Sequence, residues 1–213
     1  MGNTAIIVCN GTISDYTYYN KYFENAKYII SVDGGASHLR KFGIKPDVLL
    51  GDFDSINKAD FDYFKDLSVE IVKFPAQKDM TDTELAVELA IEKGYKTLVF
   101  IGGLGSRYDH SLSNIFILRQ LLSKGIRGLI VNETNEITLI QDSIRIYKEE
   151  GIKVTLLPLS ETVEGVTTKG LYYPLLNAVM EMGSTWGVSN EFATDIAEIS
   201  ISKGLLLVIK ARD

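Results

Sequence analysis

The chain has 213 residues, 46% of them hydrophobic and 23% charged, with 22 Lys and Arg against 28 Asp and Glu and a formal net charge of −6. This is the composition of a folded protein of one large or two small domains, not of a disordered or fibrous chain. The deficit of Lys and Arg excludes a nucleic-acid backbone as the partner, because gripping phosphates along a duplex needs a basic surplus.

In chain order, the first 130 residues alternate short apolar runs with helical patterns. Strands are predicted at 4–9, 27–32, 47–50, 69–74, 97–101 and 128–131, rich in Ile, Val and Leu with little polar alternation, as in strands covered on both faces. A helix is predicted over 81–93: Thr81 caps it, Glu84 completes a capping box, Leu85, Leu89 and the alanines form its inner face, and Gly94 ends it. A second is predicted from about 109 to 123, with Leu112, Ile115, Phe116, Leu118 and Leu122 inward. Such alternation predicts an α/β fold with an open, mostly parallel sheet and flanking helices over residues 1–131.

After that the pattern changes. Runs at 136–140, 144–147, 152–156, 162–167, 170–173, 195–201 and 205–210 are short and β-like, with Gly, Asn and Ser turns and no long helix between them. They predict a C-terminal β-sandwich domain over 132–213. The acids divide with the fold: residues 1–130 hold 11 of the 14 Asp but only 5 of the 14 Glu and are nearly neutral, whereas 131–213 carry most of the negative excess.

Several features narrow the setting. Cys9, the only cysteine, closes the apolar run Ala5-Ile6-Ile7-Val8-Cys9 and reads as a buried thiol. One Cys and two His argue against a zinc site. No basic start with an apolar stretch opens the chain, and no apolar run reaches 18 residues, so the chain reads as cytoplasmic with no membrane partner.

The chemistry is predicted at the strand ends, because open α/β sheets bind ligands beyond the carboxyl ends of their strands. Four successive strands run into Asp33-Gly34-Gly35-Ala36, Gly51-Asp52-Phe53-Asp54-Ser55, Pro75-Ala76-Gln77-Lys78-Asp79-Met80-Thr81-Asp82 and Gly102-Gly103-Leu104-Gly105-Ser106-Arg107-Tyr108-Asp109-His110. Each turn alone is ordinary, since Asp and Gly favour turns; four on one edge are not. Asp52 and Asp54, two residues apart on an extended segment, face the same way. Two carboxylates about 4 Å apart repel by about 4 kcal/mol at an effective dielectric of 20. The nearest bases in sequence are Lys45 and Lys58, and a hard oxygen-seeking cation such as Mg²⁺ resolves the repulsion. The glycine turns before helices offer backbone N–H groups to a phosphate, and Arg107 adds a guanidinium fork. No G-x-x-x-x-G-K-[ST] is present, which excludes a P-loop, and Gly103 and Gly105 lack the third glycine of a dinucleotide fingerprint. These residues describe a Mg²⁺-dependent enzyme acting on a nucleotide-like phosphate. They leave hydrolysis and transfer both open.

Taken together, the four blocks closely resemble those of the thiamine pyrophosphokinase family, in order and spacing across residues 33–114, and Gly187-Val188-Ser189-Asn190-Glu191 resembles its C-terminal motif. The resemblance implies transfer of the pyrophosphoryl group of ATP to the hydroxyl of thiamine, giving thiamine diphosphate and AMP. It implies a homodimer whose active sites are shared between the α/β domain of one subunit and the β domain of the other. By motif, Asp52, Asp54 and Asp82 look like the metal carboxylates, with Asp79 as an extra ligand or base and Asp109 as the other candidate base. Asp33, Gly34, Gly35, Ser55, Arg107 and His110 resemble nucleotide and phosphate contacts. Tyr173, where other members carry tryptophan, resembles the residue that stacks on the substrate, with Ser189 and Asn190 nearby in the motif. Lys78 stands where some branches have a substrate-contacting glutamine, and the lone Trp186 falls outside the stacking position. Alternatives are a pyrophosphokinase of another ring alcohol such as a pterin, a metal-dependent phosphohydrolase, and a noncatalytic nucleotide or thiamine sensor.

Overall fold

A computed structural model describes residues 3–77 and 79–212. The chain divides into two compact units, Met1–Glu133 and Thr134–Asp213.

The first unit is built on strands β1 (Thr4–Val8), β2 (Tyr28–Val32), β3 (Val48–Gly51), β4 (Glu70–Lys73), β5 (Thr97–Ile101) and β6 (Arg127–Val131). Every pairing within this set is parallel, in the order β4-β3-β2-β1-β5-β6. Five helices connect them: α1 (Asn20–Phe23), α2 (Gly35–Phe42), α3 (Lys58–Asp66), α4 (Asp82–Glu92) and α5 (Tyr108–Ser123). A 3-10 turn at Tyr16–Tyr19 precedes α1. All six strands lie within a residue or two of the predicted runs. The core follows from composition: Ile6, Val8, Leu39, Leu49, Phe64, Val99 and Ile101 are buried in one cluster, each such side chain contributing about 1.5–3 kcal/mol by leaving water.

Strand order positions the site. The chain steps outward from β1 through β2 and β3 to β4, then returns across the sheet to place β5 on the other side of β1. The reversal opens a crevice beyond the carboxyl ends of β1 and β5, the place where open α/β sheets take ligands.

Two helical faces differ from expectation. In α4 the buried residues are Ala86, Val87 and Ala90, while Leu85 and Leu89 are half-buried. Small side chains let this helix lie close on β1, β2 and β3. In α5 the buried stripe is Asn114, Ile117, Leu118 and Leu121, and Leu112 and Phe116, expected inward, are exposed. The stripe is turned because polar Asn114 is drawn inward by a hydrogen bond to the Gly103 carbonyl (2.7 Å). Apolar periodicity registers Leu112 and Phe116 but cannot see that bond.

An ion-pair network ties α2 to α3. Asp60, buried on α3, accepts hydrogen bonds from Ser37, from Arg40 Nη1 (2.7 Å) and from Asn57. Asn57 caps α3 by accepting from Asp60 N–H (2.9 Å). Burial pushes the Asp60 carboxyl up, but the bonds from Ser37, Arg40 and Asn57 outweigh it and hold its pKa below the ordinary value.

The second unit holds β7 (Asn135–Ile140), β8 (Ser143–Tyr147), β9 (Lys153–Pro158), β10 (Thr162–Lys169), β11 (Ala178–Glu181), β12 (Ile196–Ser200) and β13 (Leu206–Ala211). β13 pairs antiparallel with β7 and with β9. The other layer runs β11-β10-β12-β8, also antiparallel. Val154, Leu156, Val163, Val166, Met180 and Val208, from both layers, share one buried core, as in a β-sandwich. The predicted strand at 170–173 is reduced to a single bridge, Leu171 with Phe192, while the four-residue β11 went unpredicted. β11 begins directly after Asn177, whose φ of 50° turns the chain into it.

Candidate active site

The crevice at the β1/β5 reversal is a cavity of about 560 Å³ within the first unit. Of the residues proposed from sequence, Asp33, Asp52, Asp54, Ser55, Asp82, Arg107 and His110 line it. Gly34 and Gly35 are buried at the start of α2 and are not among the lining residues. Asp79 and Asp109 are exposed and do not line it. Lys78 lies outside the described residues.

Ligand-capable oxygens of Asp33, Asp52 and Asp82 lie within 4.8 Å of one another. Each comes from a different strand end. Asp33 follows β2 in the left-handed region (φ 43°), where its carboxylate accepts the Phe53 N–H (3.1 Å). Phe53 is left-handed as well (φ 68°). Two non-glycine residues in this region, facing one another at a ligand edge, represent strain of about 1–3 kcal/mol each held by the surrounding packing. Gly51, which ends β3 at φ 149°, makes room for the arrangement, because a Cβ there would collide with the Asp33 carboxylate. Asp52 accepts the Asp54 N–H (3.0 Å), which orients the turn. Asp82 arrives on the first turn of α4, whose cap Thr81 accepts the Glu84 N–H (3.2 Å).

The electrostatics record the crowding. Burial pushes the Asp33 carboxyl up to about 6, and the charges of Asp82, Asp52 and Asp54 add to the shift against the Phe53 hydrogen bond. Among the described residues Asp33, Asp52 and Asp54 meet no Lys or Arg. Arg107 instead pairs with Asp109 (Nη2 to Oδ2 2.6 Å, Nε to Oδ1 3.3 Å), both side chains largely exposed. The Arg107 hydrogen bond pulls Asp109 down to about 2. His110 sits 4.0 Å from the same carboxylate.

Sequence reasoning missed part of the lining: Asn10, Gly11 and Thr12 after β1, Thr83, and Ser111 and Asn114 on α5. Ser111 Oγ accepts the Gly105 N–H (3.1 Å), so with Asn114 it stitches the glycine turn to α5. The signal for Asn10-Gly11-Thr12 was present as a fifth Gly-bearing strand end, but its importance depends on strand order.

The remaining predicted residues form a separate group in the second unit. Tyr173 is exposed and packs edge-on against Tyr172 (4.9 Å, 82°). Asn190 is buried, and its carboxamide is spent on the backbone. It donates to Tyr173 C=O (2.7 Å) and accepts from Tyr173 N–H (3.0 Å) and Glu191 N–H (2.8 Å). Asn190 therefore holds the Tyr173 segment in place. Ser189 is exposed at φ 60°, its N–H donated to Thr155 Oγ1 (3.0 Å). Trp186 is exposed.

Comparison with known proteins agrees with this division. Residues 19–130 match the model of the thiamin pyrophosphokinase catalytic domain, and residues 141–206 match that of the thiamin pyrophosphokinase vitamin B1 binding domain. The chain is 32% identical over 212 residues to the thiamine pyrophosphokinase of Bacillus subtilis, covering 99% of each. The chain belongs to the thiamine pyrophosphokinase family. It is thus an ATP-dependent diphosphotransferase of thiamine diphosphate biosynthesis, and the pterin and sensor alternatives are not favoured. A crystal structure of the Bacillus subtilis enzyme superposes with a TM-score of 0.90 at 31% identity, over 99% of each chain. One from Geobacillus thermodenitrificans gives 0.85 at 29%, over 99% of this chain and 98% of the other.

Proposed function

We propose that the cavity beyond β1 and β5 binds the triphosphate of ATP with Mg²⁺, and that the pyrophosphoryl group leaves from there to the hydroxyl of thiamine. The observation that carries this reading is the convergence of Asp33, Asp52 and Asp82 oxygens within 4.8 Å, in the cavity that the Gly102–Arg107 turn also lines. The donor set fits the ion: all carboxylate oxygen, hard, and holding in Asp33 a proton affinity that a cation would relieve. Asp33, Asp52 and Asp82 would hold it, with Asp54 beside them on the same wall. A divalent cation held by these carboxylates would supply positive charge against the phosphates.

The chain's own groups do the rest. Ser55 Oγ accepts the Gly34 N–H (3.2 Å) and so fixes the start of α2 at the cavity edge. Arg107 commits Nε and Nη2 to Asp109 and keeps its other N–H groups for a phosphate. Asp79 or Asp109, both exposed beyond the lining, would take the proton of the thiamine hydroxyl. The acceptor reading rests on Tyr173, a π face for a flat cation.

A homodimer with shared active sites belongs to the same reading. What supports it is exposed apolar surface: Tyr108, Leu112 and Phe116 along α5, and Tyr172, Tyr173 and Leu176 in the second unit. A cytoplasmic location rests on the sequence alone; no helix among the described residues is long and apolar enough to cross a membrane.

The test is product analysis. Protein, Mg²⁺-ATP and thiamine should yield AMP and thiamine diphosphate in equal amounts, whereas ADP would overturn the reading. Tyr173→Ala should raise the thiamine KM by about tenfold and leave the ATP KM unchanged; equal effects on both would remove Tyr173 from the acceptor site. Sedimentation checks the dimer.

A further inference from the structure

The segment after β1 prolongs the pairing with β5 beyond both strands. Cys9 N–H donates to Ile101 C=O (2.8 Å) and Gly11 N–H to Gly102 C=O (2.8 Å). Gly11 is pressed so closely against this turn that a Cβ would collide with the carbonyls of Gly102 and Leu104. Its own carbonyl points away from β5, to His38 Nε2 on α2 (2.8 Å). A carbonyl only accepts, so Nε2 carries the proton. The half-buried ring is drawn below its ordinary pKa by burial and is neutral, and Nδ1 accepts the Tyr16 hydroxyl hydrogen (2.8 Å). Tyr16 packs edge-on against Phe42 at the end of the same helix (4.8 Å). Just downstream, the N–H groups of Ser14 and Asp15 both donate to Glu133 Oε1 (2.6 and 2.9 Å).

The segment is thus held on each side, and between its anchors stand two polar side chains that line the cavity, Asn10 and Thr12. Both residues are exposed. Among the described residues neither side chain has a protein hydrogen-bond partner, and the Asn10 carboxamide lies across Gly34, where a Cβ would displace it.

We propose that Asn10-Gly11-Thr12 is a ligand-contacting wall of the phosphate cleft and that His38 is its positioning residue. Asn10 and Thr12 offer the amide and hydroxyl donors to the polyphosphate. His38 touches no substrate and acts through the Gly11 carbonyl. This rests on the reading of the cavity as the ATP site.

The experiment measures Mg²⁺-ATP binding by calorimetry and steady-state kinetics with thiamine, on the full chain and on His38→Ala, His38→Gln and Asn10→Ala. His38→Ala should raise both the ATP Kd and the ATP KM about tenfold, the scale of one lost hydrogen bond, with kcat within about twofold. Glutamine can present an N–H to Gly11 and should recover most of the loss. Asn10→Ala should show the same KM-only pattern. A purely structural role would lower the melting temperature without this split or rescue. An unchanged ATP Kd in His38→Ala overturns the proposal, as does glutamine faring no better than alanine. Should His38→Ala fail to fold, Asn10→Ala decides alone, and an unchanged ATP Kd in it is equally fatal. Wild-type protein that binds ATP but releases ADP would sink the pyrophosphokinase reading while the Kd comparison still tests the wall. No ATP binding at all would overturn both.

Discussion

The carboxylates of the first unit's cleft and the glutamates of the second unit are treated in opposite ways. In the second, Glu136, Glu149, Glu164, Glu191 and Glu198, five of its eight glutamates, each meet a Lys or Arg. Glu198 pairs with Arg145 (2.7 Å), Glu164 with Lys203 (2.8 Å) and Glu191 with Lys153, while Lys210 joins Glu136 (2.8 Å) to Glu149. In the first, Asp33 and Asp52 accept only backbone N–H groups, and neither they nor Asp54 meets a base among the described residues. Paired acids are finished structure, and most exposed pairs of this kind contribute little. Crowded acids without a base hold unspent charge, and they line the cavity beyond β1 and β5. The second unit's pairs leave the net negative excess of the C-terminal half unchanged, because each sets one acid against one base.

The widest gap expected from this contrast is kinetic. Asp52→Asn should cut turnover by about a thousandfold or more, as loss of a metal carboxylate does, with little change in melting temperature. Asp54→Asn should lose less, because its oxygens stand outside the group of three. Near-normal activity in Asp52→Asn would erase the contrast.

Asp60 is an acid of the first unit that is paired like those of the second, as are Glu88 with Lys124 and Asp109 with Arg107, and at buried Asp60 the expected loss is in stability. Asp60→Ala should cost about 2 kcal/mol in urea unfolding at pH 7. Its folded pKa is depressed, so the stabilisation is present above the unfolded Asp value of about 3.9 and is lost as pH falls through the folded pKa. The difference between variant and wild type should therefore narrow as the pH falls below the unfolded Asp value. A gap that is constant with pH would assign the effect to packing.

Proton competition sharpens the comparison further. With Asp33 pushed up to about 6, protonation there opposes the cation, and apparent Mg²⁺ affinity should fall about tenfold per pH unit below that value. Calorimetry at pH 7 and pH 5 checks it; equal affinities would take Asp33 out of the cluster. The smallest effect belongs to the second unit. Glu198→Gln should shift stability by less than about 1 kcal/mol and leave turnover untouched, measured by urea unfolding and the AMP assay.

Much of this was legible in the chain. The parallel strands inside the sheet announced themselves as apolar runs, because burial on both faces leaves little room for polar alternation, whereas β4, at the sheet edge, has Glu70 and Lys73 exposed. Thr81 and Glu84 marked the start of α4 through cap chemistry that is local in sequence. The four Asp- and Gly-rich strand ends were visible for the same reason. Long-range matters were not. That β5 returns to lie beside β1 is a property of the sheet, and without it Asn10-Gly11-Thr12 looks like any turn. The inward rotation of α5 turns on one side chain, Asn114, finding a carbonyl eleven residues earlier. Nor could spacing reveal that Asn190 spends its amide on Tyr173. β11 is too short for periodicity to register.

Gly51 carries a consequence beyond the turn it permits. The membership of the carboxylate cluster is decided at a position that bears no functional group: with a methyl there, the Asp33 carboxylate would have to leave. A survey of charged or polar positions would pass over it, and a substitution scan would return it as a catalytic lesion with no chemistry of its own. The site's charge is thus written partly in acids and partly in the one hydrogen that keeps the neighbouring strand out of their way.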